Sequence, residues 1–547
     1  MREALALVGA LAVGILAAAA CGGSDEGGAG GSSSGASSSG GSSGASSSGG
    51  VQDGGGGEGG PVPPVPVTSC APPAALVDTS SPTTKVGTGS PASCTEAALR
   101  AAVTAGGIIT FDCGPAEHTI TVTSELVVPN DKDTTIDGGG KVVLSGGDTT
   151  RILALRHSYE KGSPTLTVQR ITLTKGKTTD TAVPGGGAAI YDLGGNVTVI
   201  DSKLVDNHGP TNGQDVKGGA IFANGAGSLV VVGSQLTNNT CSNGGAVGAL
   251  GAAMTLVNTV VANNAATGTG GNPGNGGNGG GADMDGKGRT LSMCGVVFTN
   301  NTANQHGGAV FRTSYENEPT TIDFSRFDGN SVVDVAGSQA GALYLQGTKV
   351  TITSTSIVNN KAKAAAAASF YEHGGPAPGQ IDMVNVTIAD NAAHPQADFT
   401  QTGLTGGIRV GDRVTGTWQN VTIAGNSAQF ASGIGGASAR LTIRSSIIAN
   451  TALNEYTPLN CNGTSANGAN DVQWPAGNKA NNDLDCVTGI QRADPLLGAL
   501  EERDTMKVRV PGAGSPAIGM GQACPPVDQL GKPRKANGCT AGAVEVP

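Results

Sequence analysis

Residues 186–450 repeat one short pattern, and that repetition limits the fold more than anything else in the 547 residues. The clearest copy runs Gly218-Gly219-Ala220-Ile221-Phe222, then Leu229-Val230-Val231, Ser234-Gln235-Leu236 and Asn238-Asn239. Anchored on the second Asn, the copies fall at Asn207, Asn239, Asn264, Asn301, Asn330, Asn360, Asn391 and Asn426, 25 to 37 residues apart. Three positions before each anchor stands an apolar residue: Leu204, Leu236, Val261, Phe298, Phe327, Ile357, Ile388, Ile423. Eight before it stands another, in a row from Val199 to Trp418, and five before it a small or β-branched one, from Ser202 to Val421. Gly-Gly-Ala or a near variant precedes most copies. A period of this size belongs to solenoids, propellers and arrays.

Apolar residues alternate within each copy, which is the period of a strand with one buried face. β-Branched residues dominate, and no helical period runs through them. A lone copy cannot bury its apolar face, but stacked copies can, each strand lying about 4.8 Å from its equivalent in the next coil. The expected fold is therefore all-β, a parallel β-helix. The recurring Asn fits an inward stack in which each amide bonds the next. Gly-Gly-Ala fits a corner needing positive φ and close backbone approach. A propeller is excluded by length, since its blades take about 40 residues and four strands.

Around this rod the chain divides into residues 1–20, 21–69, 70–92, 93–450 and 451–547. Residues 1–20 read as a signal peptide: Arg2, then an apolar run from Ala4 to Ala20 that is short for a spanning helix. Residues 21–69 form a Gly/Ser/Pro-rich tether, flexible to residue 60 and stiffened toward polyproline II by Pro61–Pro66. Residues 70–92 are a lead-in. Residues 93–105 are the best helix, capped by Ser93 or Thr95 and stopped by Gly106-Gly107, and are expected to cover the open end of the core. Gly268–Gly281 reads as a loop leaving one corner. Residues 451–547 are expected to cap the far end.

Three resemblances sharpen this. Ala18-Ala19-Ala20-Cys21 resembles the lipobox of bacterial lipoproteins, with Ala18 where Leu is usual, and implies cleavage before Cys21 and its acylation. Gly22 in place of Asp leans toward an outer-membrane lipoprotein of the bacterial envelope. Cys94-Thr95-Glu96-Ala97-Ala98-Leu99-Arg100, Ile109-Thr110-Phe111-Asp112-Cys113 and Ile136-Asp137-Gly138-Gly139-Gly140 look like the opening of bacterial right-handed parallel β-helix surface proteins. The Gly-Gly-Ala and Asn-Asn repeats resemble those of polymorphic outer-membrane-protein and adhesin-like β-helices. Asp494-Pro495-Leu496-Leu497-Gly498, Ser515-Pro516-Ala517-Ile518-Gly519 and the closing Gly542-Ala543-Val544-Glu545 resemble the choice-of-anchor β-helix family. The fold these imply is a right-handed parallel β-helix over most of residues 93–547. The role they imply is surface display.

With Cys21 set aside for lipid, nine cysteines remain for an oxidising compartment. Three local pairs are expected: Cys94–Cys113, Cys461–Cys486 and Cys524–Cys539. Cys241 and Cys294 sit two coils apart, roughly 10 Å, beyond disulfide reach. Cys70 lies in the lead-in, and the pairing of Cys70, Cys241 and Cys294 stays open.

Net charge is −10, with no basic cluster, which argues against nucleic acid as a partner. No metal-ligand spacing, phosphate loop or nucleophile elbow is present, so no cofactor or metal is expected. A glycoside hydrolase would need two carboxylates 5–10 Å apart, and a lyase a base beside a charge neutraliser. The candidates are Asp283 and Asp285, read as a turn between strands, and Asp323 and Asp328, which flank a strand. Arg409, Asp412 and Arg413, His306, and Glu372-His373 stand near corners. None of these is repeated in adjacent coils, and aromatics for stacking on sugars are scarce. The sequence leans toward a non-catalytic, membrane-tethered protein for adhesion or binding, with a glycan or surface protein as ligand. The alternatives are a polysaccharide lyase or glycoside hydrolase, and a structural spacer.

Overall fold

The computed structural model describes residues 60–65 and 70–547, apart from 184, 271–274, 288, 316–317, 334–336, 373–376, 394–403, 453–458, 464–465 and 477–483. The signal segment, Cys21 and most of the tether lie outside the described residues.

Residues 84–492 wind as a parallel β-helix. One coil shows the plan: strands Ile221–Asn224, Ser228–Val232, Gln235–Thr237 and Thr240–Cys241. Each pairs in parallel with its counterpart in the next coil: Leu229 with Met254, Leu236 with Val261, Ile221 with Val247. Stacking yields an 11-stranded sheet, a 6-stranded sheet, and a 26-stranded sheet that merges the two remaining faces. We call these the second, third and first sheets. Thirteen coils stack along the first sheet, from Gly107–Phe111 to Asn467–Ala469. At about 4.8 Å per step that is about 58 Å.

The sequence register maps directly onto this core. The row three before each anchor, Leu204 to Ile423, is buried, as is the row eight before it, Val199 to Trp418. Each such side chain contributes about 1.5–3 kcal/mol on leaving water. Within the first row Phe298 and Phe327 stack with centroids 5.4 Å apart.

The anchors form the expected ladder. Asn207 Nδ2 donates to Asn239 Oδ1 at 3.0 Å, and the same bond recurs through Asn264, Asn301, Asn330, Asn360, Asn391 and Asn426. It continues through Asn450 to Asn460, beyond the last copy recognised in the sequence. Each Oδ1 also accepts the backbone N–H of the preceding Asn, as Asn239 does from Asn207 at 3.0 Å. The small-residue row five before the anchor makes a weaker parallel ladder, Ser202 N–H to Ser234 Oγ at 3.1 Å and Val296 N–H to Ser325 Oγ at 3.4 Å; past it, Ser446 N–H donates to Asp471 Oδ1 at 2.8 Å.

The glycine corner needs two different things. Its first residue has positive φ (Gly218 +69°, Gly244 +55°, Gly307 +65°), and Ala340 takes the same conformation at +67°. Its second residue has no room: a Cβ on Gly308 would lie 2.1 Å from the Gly341 carbonyl oxygen.

The helix spans Glu96–Ala105, with Thr95 rather than Ser93 as N-cap and Gly106 at its C-terminus. Leu99, Ala102 and Val103 enter the main core, against the first coils.

The two chain ends depart from the expected plan. Running backward from Thr84, the lead-in lies along one flank of the stack. Val77 exchanges hydrogen bonds with Gln169, and Thr79 Oγ1 donates to Asp137. Cys70 is bonded to Cys294, and Asn263 Nδ2 donates to the Gly60 carbonyl at 3.1 Å. At the other end, the strands Asn467–Ala469, Val472–Trp474 and Gln491–Arg492 add rungs, while residues 497–547 fold back along the flank instead of capping the end. Ser356 bonds Lys507, Asn385 bonds Val527, and Gly542 N–H donates to Ser445.

Candidate functional site

In the second sheet every other residue points out of the core. In the strand Ala282–Asp285, Ala282 and Met284 join the core, so Asp283 and Asp285 face the other way. The outward rows read Tyr191, Phe222, Gly248, Asp283, Phe311, Tyr344, Ser369, Arg409 and Arg156, Leu193, Asn224, Leu250, Asp285, Thr313, Gln346, Tyr371. The longest connections flank this face. On one edge, residues 209–216 knit with 267–270 and 275–277, with Gly213 N–H to Asn275 O at 3.3 Å and Ser242 Oγ to Gly213 O at 2.7 Å. The described part of the Gly268–Gly281 insertion thus folds back on a neighbouring loop. On the other edge Tyr159 reaches over Ala226, whose N–H donates to the Tyr159 carbonyl at 2.6 Å.

The sequence treats Asp283 and Asp285 as a turn; the structure makes them a strand. Asp283 is fully buried and meets Lys217 Nζ at 2.5 Å, Lys217 itself being 1% exposed. Lys217 crosses a whole coil to do so, and only Gly248 leaves it space: a Cβ there would lie 2.2 Å from Lys217 Cβ. Burial pushes the Asp283 carboxyl up, against the pull of Lys217. Burial works against the Lys217 charge, but Asp283 and Asp285 more than offset it and raise its pKa. Asp285 accepts from the Gly286 N–H at 2.7 Å and bonds the Tyr315 hydroxyl.

Asp323 and Asp328 belong to other faces. Asp323 accepts from the Phe324 N–H and from Thr353. Asp328 is held by Lys507 Nζ at 2.6 Å and Asn359 Nδ2 at 2.7 Å, under the folded-back C-terminal segment. The four carboxylates therefore do not assemble into one site.

Aromatics are scarce, but they are gathered. Phe311, Tyr344 and Tyr371 stand on three consecutive coils. The Phe311 and Tyr344 centroids are 5.0 Å apart with planes 14° off parallel, and those of Tyr344 and Tyr371 are 5.5 Å apart. His306 stacks on Tyr344 at 4.9 Å, and burial holds it neutral with a pKa of about 4. These rings spend their faces on one another, which is the geometry of a ladder between coils, not of a platform for sugar rings. Around them Tyr371 donates to Gln339 at 2.8 Å, the Arg409 guanidinium lies 5.9 Å from the Tyr371 ring, and Arg413 pairs with Glu372 at 3.3 Å. Asp412 stands at the same turn, and His373 lies outside the described residues.

No family model matches this chain. No curated protein matches it either.

Two charged residues in the core escape the sequence reading. Asp192 shares an inward row with Leu155 and Ala223; burial pushes it up to about 7, and its Oδ2 has no partner among the described residues. Arg312 follows Met284 in that row and donates to the carbonyls of Thr313 and Arg289 at 2.8 and 2.7 Å. The signal was present: both break an otherwise apolar position once strands are aligned by coil.

The cysteines pair as Cys94–Cys113, Cys461–Cys486 and Cys524–Cys539, with Cα separations of 5.5, 5.5 and 6.5 Å. Cys70 is not alone: it pairs with Cys294 at 5.9 Å, and Cys241 is the buried free thiol. Cys21 lies outside the described residues. Among the described residues no group of three His, Cys, Asp or Glu gathers to hold a metal, and no helix is long and apolar enough to cross a membrane.

Proposed function

We propose that this chain is a lipoprotein of the bacterial envelope, acylated at Cys21, whose right-handed β-helix binds a glycan or surface protein without transforming it. The observation that carries the non-catalytic part is the fate of the singled-out carboxylates. Asp283 is buried against Lys217, Asp285 is held by Tyr315, and Asp323 and Asp328 sit apart on other faces. A hydrolase needs two carboxyls facing one substrate, with one free to move a proton.

Four disulfides suit an oxidising compartment outside the cytoplasm. The resemblance of Ala18–Cys21 to a lipobox supplies the anchor. Both chain ends cover one flank, while the loops border the second sheet, where half-buried Gln346, Glu372, Arg409 and Arg413 can hydrogen-bond a ligand.

The test is binding and turnover measured together. The full chain is offered a panel of polysaccharides and isolated envelope proteins, reading bound protein and released reducing or unsaturated ends. Binding without release is expected. Release from any glycan overturns the reading.

A further inference from the structure

The path of the described tether residues determines where tension enters the stack. From Gly60 forward to Thr84 the described residues pass Cys294, Asn258, Gln169 and Asp137, against the direction in which the coils advance. Cys294 stands in the seventh of thirteen stacked strands. Beyond it Val65 packs on Val260, Ala262 and Val297. The C-terminal segment approaches the same place from the other side, where Arg326 meets Glu502 at 3.0 Å and the Thr505 carbonyl at 3.2 Å. A cleft of about 430 Å³ between Pro63–Val65 and Glu502–Thr505 marks where the two straps meet.

We propose that the Cys70–Cys294 bond delivers tension from the N-terminal tether into the middle of the stack, so that the coils before Cys294 carry none of it. A pull arriving at Cys70 has two covalent routes onward. One runs through the folded coils of residues 71–293. The other crosses the disulfide, whose Cα atoms are 5.9 Å apart. The short route becomes taut first. The long one is a closed loop whose ends cannot separate, so pulling does no work on it. A solenoid has only nearest-neighbour contacts and unravels coil by coil from where force enters. Entry at Cys294 instead of Thr84 therefore protects six coils, about 29 Å of the stack at about 4.8 Å each. Tension in the cell presupposes the anchored reading above, but the path of the force does not.

Single-molecule force spectroscopy on the full chain, pulled from its N- and C-termini, tests this. The disulfide closes a separation of 224 residues. Cys94–Cys113 keeps 19 of these residues closed, so Cys70→Ser/Cys294→Ser should release about 680–740 Å more chain than the oxidised protein, at about 3.3–3.6 Å per residue. Equal lengths overturn the proposal. Should the double variant fail to fold, the wild-type protein re-pulled after reduction should gain about 870–950 Å, because the 25- and 15-residue loops open as well; a gain of only about 195–210 Å, from the other three loops alone, overturns the proposal. Non-reducing peptide mapping is a second check: a Cys70–Cys294 peptide with Cys241 as free thiol supports the proposal, and a Cys241–Cys294 peptide overturns it. Absence of lipid on Cys21 alongside the extra length would remove the anchored reading and leave the path of the force intact.

Discussion

At the scale of single residues, the corners and ladders hold the coils in register. Gly308 has no space for a methyl group, since the Gly341 carbonyl oxygen would lie 2.1 Å from a Cβ. Gly308→Ala should cost about 1–3 kcal/mol. Ala340→Gly should be neutral or stabilising within about 1 kcal/mol, because Ala340 already holds positive φ. Denaturant midpoints compare the two. Asn330 Oδ1 accepts both the backbone N–H and the Nδ2 of Asn301, so Asn330→Ala leaves two buried donors unpaired. Its expected cost is about 2–4 kcal/mol in the same assay. Asp192 and Asp471 are pushed by burial up to about 7 and about 8. The folded state then keeps protons that the unfolded state releases above its ordinary carboxylate pKa. This stability is complete below about pH 4 and is lost as pH rises to about 7–8, by at most about 1.4 kcal/mol per pH unit per site. Replacing both by Asn should flatten that slope in thermal melts; an unchanged slope contradicts the assignment. The Asn ladder was legible because its spacing repeats. Asp192 was not, because a single inward charge shows only after strands are aligned coil by coil.

At the scale of elements, what matters is which strands face each other, and sequence separation hides it. Lys217 and Asp283 are 66 residues apart and meet only because Gly248 opens the coil between them. Lys217→Met should destabilise by about 3–5 kcal/mol by stranding a buried carboxylate, and Lys217→Met/Asp283→Leu should recover most of that loss. Urea unfolding of the two variants distinguishes a buried pair from a solvated one, in which both changes are nearly silent. The strand pattern, core rows and helix could be read from alternation, caps and β-branched residues. The outward face of the second sheet could not, since its Phe311, Tyr344 and Tyr371 sit in three different copies and register alone brings them together.

At the scale of the whole molecule, two straps and a disulfide change the meaning of a rod with a tether. The alternating pattern says that coils stack. It says nothing of where non-repeating ends go, because Val77 and Lys507 find their partners through side chains and carbonyls exposed only on a finished flank. Cys70 illustrates the limit: without the fold-back it has no neighbour, and with it Cys294 is adjacent. Attachment to a membrane through Cys21 is the central element of the proposed function. Metabolic labelling with an alkyne fatty acid tests that most directly, comparing the full chain with Cys21→Ser in a bacterial host. Label and membrane fractionation are expected for the wild-type chain, both lost in Cys21→Ser. A wild-type chain that carries no label and leaves the membrane fraction freely would contradict it.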